Sequence, residues 1–286
     1  MTTHEKYSEI PALNWSTLKK IAISPAWLRH CIDHPEEESD KDAYRQGRAT
    51  HCATLEPERF LSDYVVQPDF AQMARDKFGS LRTKESQNYR DANQAEWFEN
   101  HNRPEIEIIS QEEFDIALRS AAAIRKNVHA MRLLENAKCE QTIQWFDPDT
   151  GISCKGRADI VSGRIVDLKT TRRNTVREIL MDASRYDYHA QVAWYHDGAV
   201  QAQLIPGDIQ PAAIFVNASP NSTFVDVAVI DMELTPIEVL EAGRRQYKRL
   251  IQLYAGCQAT RTWPGMAPAP VPWSIPEWKL LEGEDE

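Results

Sequence analysis

The stretch GRADIVSGRIVDLKTT, Gly156 to Thr171, limits the fold more than any other part of the 286-residue chain. Its two halves are apolar and β-branched, and Ser162-Gly163 divides them, which reads as two strands joined by a short turn. Yet the stretch carries Asp159, Asp167 and Lys169, and burying charge is costly unless a partner compensates it. Side chains of a strand alternate between faces, so Asp167 and Lys169 share one face while Leu168 points to the other. The turn decides whether Asp159 joins them. A two-residue turn would set Asp159 and Asp167 on opposite faces. A three-residue loop, Val161-Ser162-Gly163, pairs Ile160 with Arg164 and places the acids diagonally on one face, with Gly163 in the left-handed position. We expect this odd-length loop. Neighbouring carboxylates repel, so either one holds a proton or a cation sits between them. The residues alone leave two readings: a structural Asp–Lys ion pair, or a site for Mg²⁺ or Mn²⁺, which favour oxygen donors and keep open positions.

The surrounding pattern favours one α/β domain over residues 1–262, followed by a Pro-rich and then acidic tail over 263–286. Asn14 reads as a helix cap, and SPAWLRHCI from Ser24 reads as a second short helix with Pro25 in its first turn. Asp42 to Glu56 reads as a helix with Gly47 inside it. Residues 70–107 are polar and read as a mobile loop with a short helix. Ser110 and Glu113 form a capping box that opens a long helix to Ala130. Gln141 to Asp147 reads as a strand before the hairpin, and one or two helices follow it. Ala212–Ala218 and Thr223–Ile230 read as a second hairpin, and a helix runs from Thr235 to Gly256.

Two spacings add to the acid–acid–lysine set. Gly47 and His51 lie one helical turn apart, so a close approach at the glycine would put the histidine beside whatever approaches. Gln191 and Tyr195 are likewise i and i+4 on the helix after the hairpin. Each spacing has a bland reading as an ordinary helix face. Glu140, before the hairpin, reads as a solvated acid at a strand start, with reach to a metal or a DNA end as the alternative. Lys155, Arg157, Arg172, Arg173 and Arg177 cluster around the motifs, where phosphate contact is a natural use. A net charge of −10 argues against a generic nucleic-acid coat. It does not argue against a nuclease, whose metal cluster is acidic and whose basic groups are local. The five Cys include no C-x-x-C pair, so reduced thiols in the cytoplasm are expected, without a zinc or iron–sulfur cage. The first residues carry no apolar signal core, and no stretch approaches a membrane span.

Taken together, Gly47…His51, Gly156-Arg-Ala-Asp159, Asp167-Leu-Lys169-Thr170 and Gln191…Tyr195 resemble the motif series of RecB-family nucleases in the PD-(D/E)xK superfamily. Within it, the RecE-type (exonuclease VIII) C-terminal nuclease domain is most similar, over roughly residues 10–255. The resemblance implies a central mixed β-sheet flanked by helices. It implies Mg²⁺-dependent 5′-to-3′ hydrolysis of linear double-stranded DNA, a ring-shaped homo-oligomer and a RecT-like single-strand annealing partner. By position it makes His51, Asp159, Asp167 and the Leu168 carbonyl metal ligands. It gives Lys169, with Asp167, Asp159 and Gln191, catalytic roles. Arg157, Arg172, Arg173 and Tyr195 are then expected at the DNA. Ala158 stands where the family commonly has proline. The three clustered C-terminal Cys of iron–sulfur relatives are missing, since Cys257 is alone, so no cluster is expected. Two alternatives on the same fold are a structure-specific or restriction-type endonuclease and a non-catalytic DNA-binding module.

Overall fold

The computed structural model describes residues 7–34, 42–219, 224–267, 269–274, 276 and 279. A five-stranded mixed sheet has the order β3-β4-β5-β6-β7. Its strands are β3 (Lys138–Phe146), β4 (Ser153–Val161), β5 (Ile165–Thr171), β6 (Ala212–Asn217) and β7 (Val227–Asp231). Only β5 and β6 run parallel, and the crossover between them holds α9 (Val176–Arg185) and α10 (Tyr188–Gln201). A short parallel pair, β1 (Tyr64–Val66) with β2 (Glu107–Ile109), stands apart from this sheet.

Each face of the sheet is covered. On one side Ile143, Trp145, Val161 and Ile165 pack with Ala193 and Trp194 of α10 and with Leu250 and Ile251 of α11 (Ile237–Thr260). The short N-terminal helices α1 (Trp15–Leu18) and α2 (Pro25–Asp33) close the same cluster through Trp15, Leu18 and Leu28. On the other side Ile160, Val166, Leu168 and Ile214 meet Ile124 of α7 (Gln111–Lys126) and Ala130 of α8 (Val128–Leu134). A third cluster joins α3 (Asp42–Leu55) and α4 (Pro57–Asp63) to α7 through Ala49, Phe60 and Ala117. Burial on both faces explains why β5 is apolar apart from its charged pair.

Most expected elements are present with shifted ends. The caps at Asn14, Ser24 and Ser110 form, the last as a full capping box. The expected single helix to Ala130 breaks at Asn127, whose side chain accepts from the N–H groups of His129 and Ala130 and starts α8. The last helix runs from Ile237 to Thr260 rather than from Thr235 to Gly256. The mobile loop with a short helix expected at 70–107 is instead two helices, α5 (Phe70–Phe78) and α6 (Lys84–His101). Asp69 and Thr83 cap them, and edge-on rings (Phe70 with Trp97, Phe78 with Tyr89) hold them together. In the expected tail, Trp263 packs on Tyr254 while Trp273 is exposed. The third tail tryptophan, Trp278, lies outside the described residues. No helix among them is long and apolar enough to cross a membrane.

The α10–α11 contact is locked by Asp197. It accepts from the Arg244 guanidinium at 2.8 and 3.0 Å and from the Tyr247 hydroxyl at 2.6 Å. Burial alone would raise its pKa, but these bonds and the neighbouring His196 pull it down to about 2. A depressed folded-state pKa adds stability that is complete above the unfolded value of about 3.9 and is lost as pH falls through the folded value. Asp197→Asn should cost about 3 kcal/mol at neutral pH. In urea unfolding, the gap between wild type and variant should shrink between about pH 4 and pH 2. A pH-independent gap would mean that Asp197 contributes shape rather than charge.

Candidate active site

The hairpin between β4 and β5 has a three-residue loop, but it is Ser162-Gly163-Arg164, because Val161 pairs with Ile165 and Ile160 with Val166. The expected length is therefore correct, while its position is shifted by one residue. Gly163 takes the left-handed backbone expected of it (φ 75°). The shift has a consequence for the acids. Continuing the register by one pair sets Asp159 directly opposite Asp167 rather than diagonal to it. The ladder stops there, and the Leu168 N–H donates to the Asp159 carboxylate at 2.8 Å.

A second register adds a third acid. Cys139 pairs with Ile160 and Gln141 with Ala158, so Glu140 stands opposite Asp159 on β3. Three carboxylates, Glu140, Asp159 and Asp167, thus lie in one row across three strands. Glu140 is not the solvated strand-start acid expected from sequence: its side chain is 17% exposed and accepts from Arg157 at 2.6 Å. Its backbone is left-handed (φ 53°), a conformation that costs a non-glycine residue about 1–3 kcal/mol and gathers at functional sites. Burial, and then the nearby charge of Asp159, raise its pKa.

The remaining groups come from two helices. On α3, the space beyond Gly47 is taken by Thr170 of β5: a Cβ there would lie 3.6 Å from the threonine hydroxyl. This approach brings His51 Nδ1 to 3.7 Å from Asp159 Oδ1, too long for a hydrogen bond. On α10, the Gln191 amide reaches Asp167 Oδ1 at 3.5 Å, and Tyr195 is hydrogen-bonded to Gln191. Burial raises the Tyr195 pKa, and Asp159 and Asp167 add to the effect, so the phenol stays protonated. Its ring covers Gly156, where a Cβ would lie 2.7 Å from the ring edge. Gly156→Ala should displace Tyr195 and Gln191 and lower turnover at a stability cost of about 1–3 kcal/mol, read by hydrolysis rate and thermal melting. Loss of stability with unchanged turnover would separate Tyr195 from the chemistry.

Lys169 is 2.7 and 2.9 Å from the two oxygens of Asp167. Burial disfavours the ammonium, but Asp167 and Asp159 outweigh it and raise the Lys169 pKa. Burial also raises the pKa of Asp167, as does the facing Asp159, against the opposing pull of Lys169.

The donor atoms of His51, Glu140 and Asp159 all lie within 4.8 Å of one another. Ligands on opposite sides of Mg²⁺ stand about 4.2 Å apart, twice the bond length of about 2.1 Å, so a small contraction closes this set on one ion. Two carboxylates and an imidazole can hold a divalent ion: the carboxylates suit Mg²⁺ or Mn²⁺, while the imidazole also suits softer transition metals. Asp167 lies one strand further on and is turned to Lys169. Of the residues expected from sequence, His51, Asp159, Asp167, Lys169, Gln191 and Tyr195 are brought together here, and Glu140 joins them. The Leu168 side chain points into the far core cluster. Of the basic residues, Arg157 is held by Glu140, and Arg173 pairs with Asp182 at 2.6 Å. Lys155 is buried, and its ammonium donates to the carbonyls of Tyr7, Ser8 and Ile10, so it pins the N-terminal segment. Arg172 is exposed. The cleft over Glu140 and Asp159, about 620 Å³, is also lined by Arg48 and Arg59, which pair with the lining acids Glu107 (Arg48) and Glu56 and Asp63 (Arg59). These two were not legible from sequence, because their helices place them there only after α3 and α4 pack.

The model of a family described as a PDDEXK-like domain of unknown function (DUF3799) matches residues 14–269. The chain belongs to this family. Its central mixed sheet flanked by helices is the PD-(D/E)xK fold, and an acid row and a lysine lie on adjacent strands of that sheet. Membership of the PDDEXK-like family and this site together support a nuclease. No curated protein matches the chain. Among solved structures, the crystal structure of a "Putative exonuclease" from Eubacterium rectale aligns over 99% of this chain and 98% of that one. The two are 14% identical with a TM-score of 0.54, a likeness of fold. A second, the crystal structure of SSO0001, covers 88% of this chain and 87% of that one at 12% identity; its TM-score of 0.26 carries no argument.

Proposed function

We propose that the chain is an Mg²⁺- or Mn²⁺-dependent exonuclease. It degrades the 5′-ended strand of linear double-stranded DNA and leaves 3′ single-stranded overhangs for recombination. The observation that carries this reading is the row Glu140–Asp159–Asp167, with His51 beside Asp159 and Lys169 on Asp167. Three acids faced by two cations, Arg157 and Lys169, still favour a bound divalent ion, and Lys169 has donors to spare for a phosphate or a water. A divalent ion held by His51, Glu140, Asp159 and Asp167, with the Leu168 carbonyl, would neutralise phosphate charge and favour ionisation of the attacking water. The chain's own groups do the rest. Lys169, charged because Asp167 is beside it, directs its remaining N–H bonds at the charge that develops on phosphate oxygen. Gln191, backed by Tyr195, holds Asp167 in position. Arg157 and Arg48 line the cleft, paired with Glu140 and Glu107, and would meet the phosphate backbone by exchanging those partners.

Direction, overhang and partners come from the resemblance to RecE-type nucleases rather than from geometry. A ring-shaped homo-oligomer would enclose the duplex, gather the local basic groups and reconcile DNA binding with a net charge of −10. The proposed partner is a single-strand annealing protein, and the setting is the cytoplasm. Action from ends is tested by incubating linear and covalently closed circular forms of one plasmid with Mg²⁺. Linear DNA should be consumed while the circle survives. Cutting of the circle at a similar rate would make the protein an endonuclease.

A further inference from the structure

The strand that carries Asp167 and Lys169 continues through Thr170 and Thr171 into a second cavity of about 330 Å³. That is the small end of the range for small-ligand pockets, about 300–1,000 Å³. Three aromatic side chains stand in its wall beside Thr170, Thr171, Arg172, Arg173 and Asp182. Tyr186, Tyr188 and Phe215 follow one another with ring centres 6.0 and 6.2 Å apart and planes inclined by 33° and 30°, so they form one ribbon of similar orientation. Phe215 is buried, whereas Tyr186 is 49% exposed and presents a ring to solvent. The Lys169 ammonium lies 5.2 Å from the centre of the Tyr188 ring, so the cavity and the site share a wall. Arg172 lines the cavity and is exposed, while the Arg173–Asp182 pair stiffens its rim.

We propose that this cavity is a nucleobase subsite. The base of the nucleotide next to the cut phosphate stacks on the Tyr186–Tyr188 ribbon, and Arg172 meets the adjoining phosphate. The proposal rests on the nuclease reading for its place in the reaction, but its chemistry stands on the cavity. Every base has a π face, so aromatic stacking accepts all four with little preference. An apolar ribbon bordered by an exposed guanidinium and ending at a lysine matches a nucleoside monophosphate unit: a flat ring at one end, an anion at the other. Inside a duplex both faces of a base are covered by its neighbours, so the nucleotide that enters is one whose stacking has been opened. Fraying at a duplex end supplies one at less cost than opening the interior of a helix. The subsite would therefore favour ends over internal positions without any sequence readout.

The test uses the full chain and two small probes, 2′-deoxyadenosine 5′-monophosphate and 2-deoxyribose 5-phosphate, in isothermal titration. Base stacking should make the nucleotide bind about 10-fold more tightly than the sugar phosphate. Tyr186→Ala, at an exposed position, should remove that difference, and Tyr186→Phe should keep it. Equal affinities in the wild type, no binding of either probe at millimolar concentration, or a difference that survives Tyr186→Ala would each overturn the proposal. A parallel arm compares Mg²⁺-dependent digestion of duplexes ending in adenine or in an abasic nucleotide. A KM about 10-fold higher for the abasic end, abolished by Tyr186→Ala, supports the subsite. Equal KM values for the two ends count against it. If no divalent metal allows DNA cutting while the nucleotide still outbinds the sugar phosphate, the nuclease reading fails and the nucleotide site stands. If DNA is cut but the base adds nothing to affinity, the subsite alone fails.

Discussion

Asp167→Asn should lower the rate of DNA hydrolysis by at least about 10³-fold at saturating Mg²⁺. The carboxylate stands opposite Asp159 on the neighbouring strand and fixes the Lys169 ammonium at 2.7 Å. The amide keeps the shape but removes the charge that holds the lysine and that the proposed metal would need. The same change leaves an ammonium buried without its counter-charge, which costs about 3–5 kcal/mol when one partner of a buried pair is lost. A second variant separates chemistry from folding. Asp167→Asn combined with Lys169→Met removes both charges, so it should recover much of the lost stability while staying inert. Single-turnover hydrolysis, thermal melting and DNA binding read the three properties independently. A folded double variant that still cuts DNA would place the chemistry elsewhere.

Glu140→Gln should raise the Mg²⁺ concentration for half-maximal activity by about 10- to 100-fold, while the rate at saturating metal stays within a few-fold of wild type. Its basis is the set of His51, Glu140 and Asp159 donor atoms within 4.8 Å. Glutamine still accepts from Arg157, so the variant tests charge at the ion rather than the loss of that bond. An unchanged metal requirement with a lower melting temperature would reduce Glu140 to an anchor for Arg157.

The hairpin was legible because its information is local. Alternation fixed the faces of Asp167, Lys169 and Leu168, and the odd loop length brought Asp159 to the same side. The loop's phase was not legible. Val161 has the β propensity to pair, and only the packed sheet shows that it does so with Ile165. Glu140 was undervalued for a related reason. Its position opposite Asp159 depends on the register between β3 and β4, and its left-handed backbone leaves no mark on a glutamate. The useful signal lay in the sequence CEQT, where counting back from the Asp159 row would have reached it. Helix α6 was missed because it lacks an apolar stripe, whereas α5 has one at Phe70, Met73, Ala74 and Phe78 inside the stretch read as a loop with a short helix. Few of their side chains are buried (Phe70, Ala74 and Ser86), and ring contacts between the helices do the work of a core. Their caps at Asp69 and Thr83 were the readable evidence. The basic residues near the motifs were legible as a cluster but not in their roles. Lys155 and Arg173 face partners that only folding supplies.

The central claim is metal-dependent hydrolysis from the 5′ end of linear duplex DNA. The most direct measurement is digestion of a 5′-phosphorylated linear duplex labelled on either strand, with Mg²⁺ and with chelator. Mg²⁺-dependent release of 5′-terminal nucleotides, with the complementary 3′-ended strand left intact, is the predicted result. Degradation that proceeds equally in chelator, or no hydrolysis with Mg²⁺ or Mn²⁺, would contradict the account.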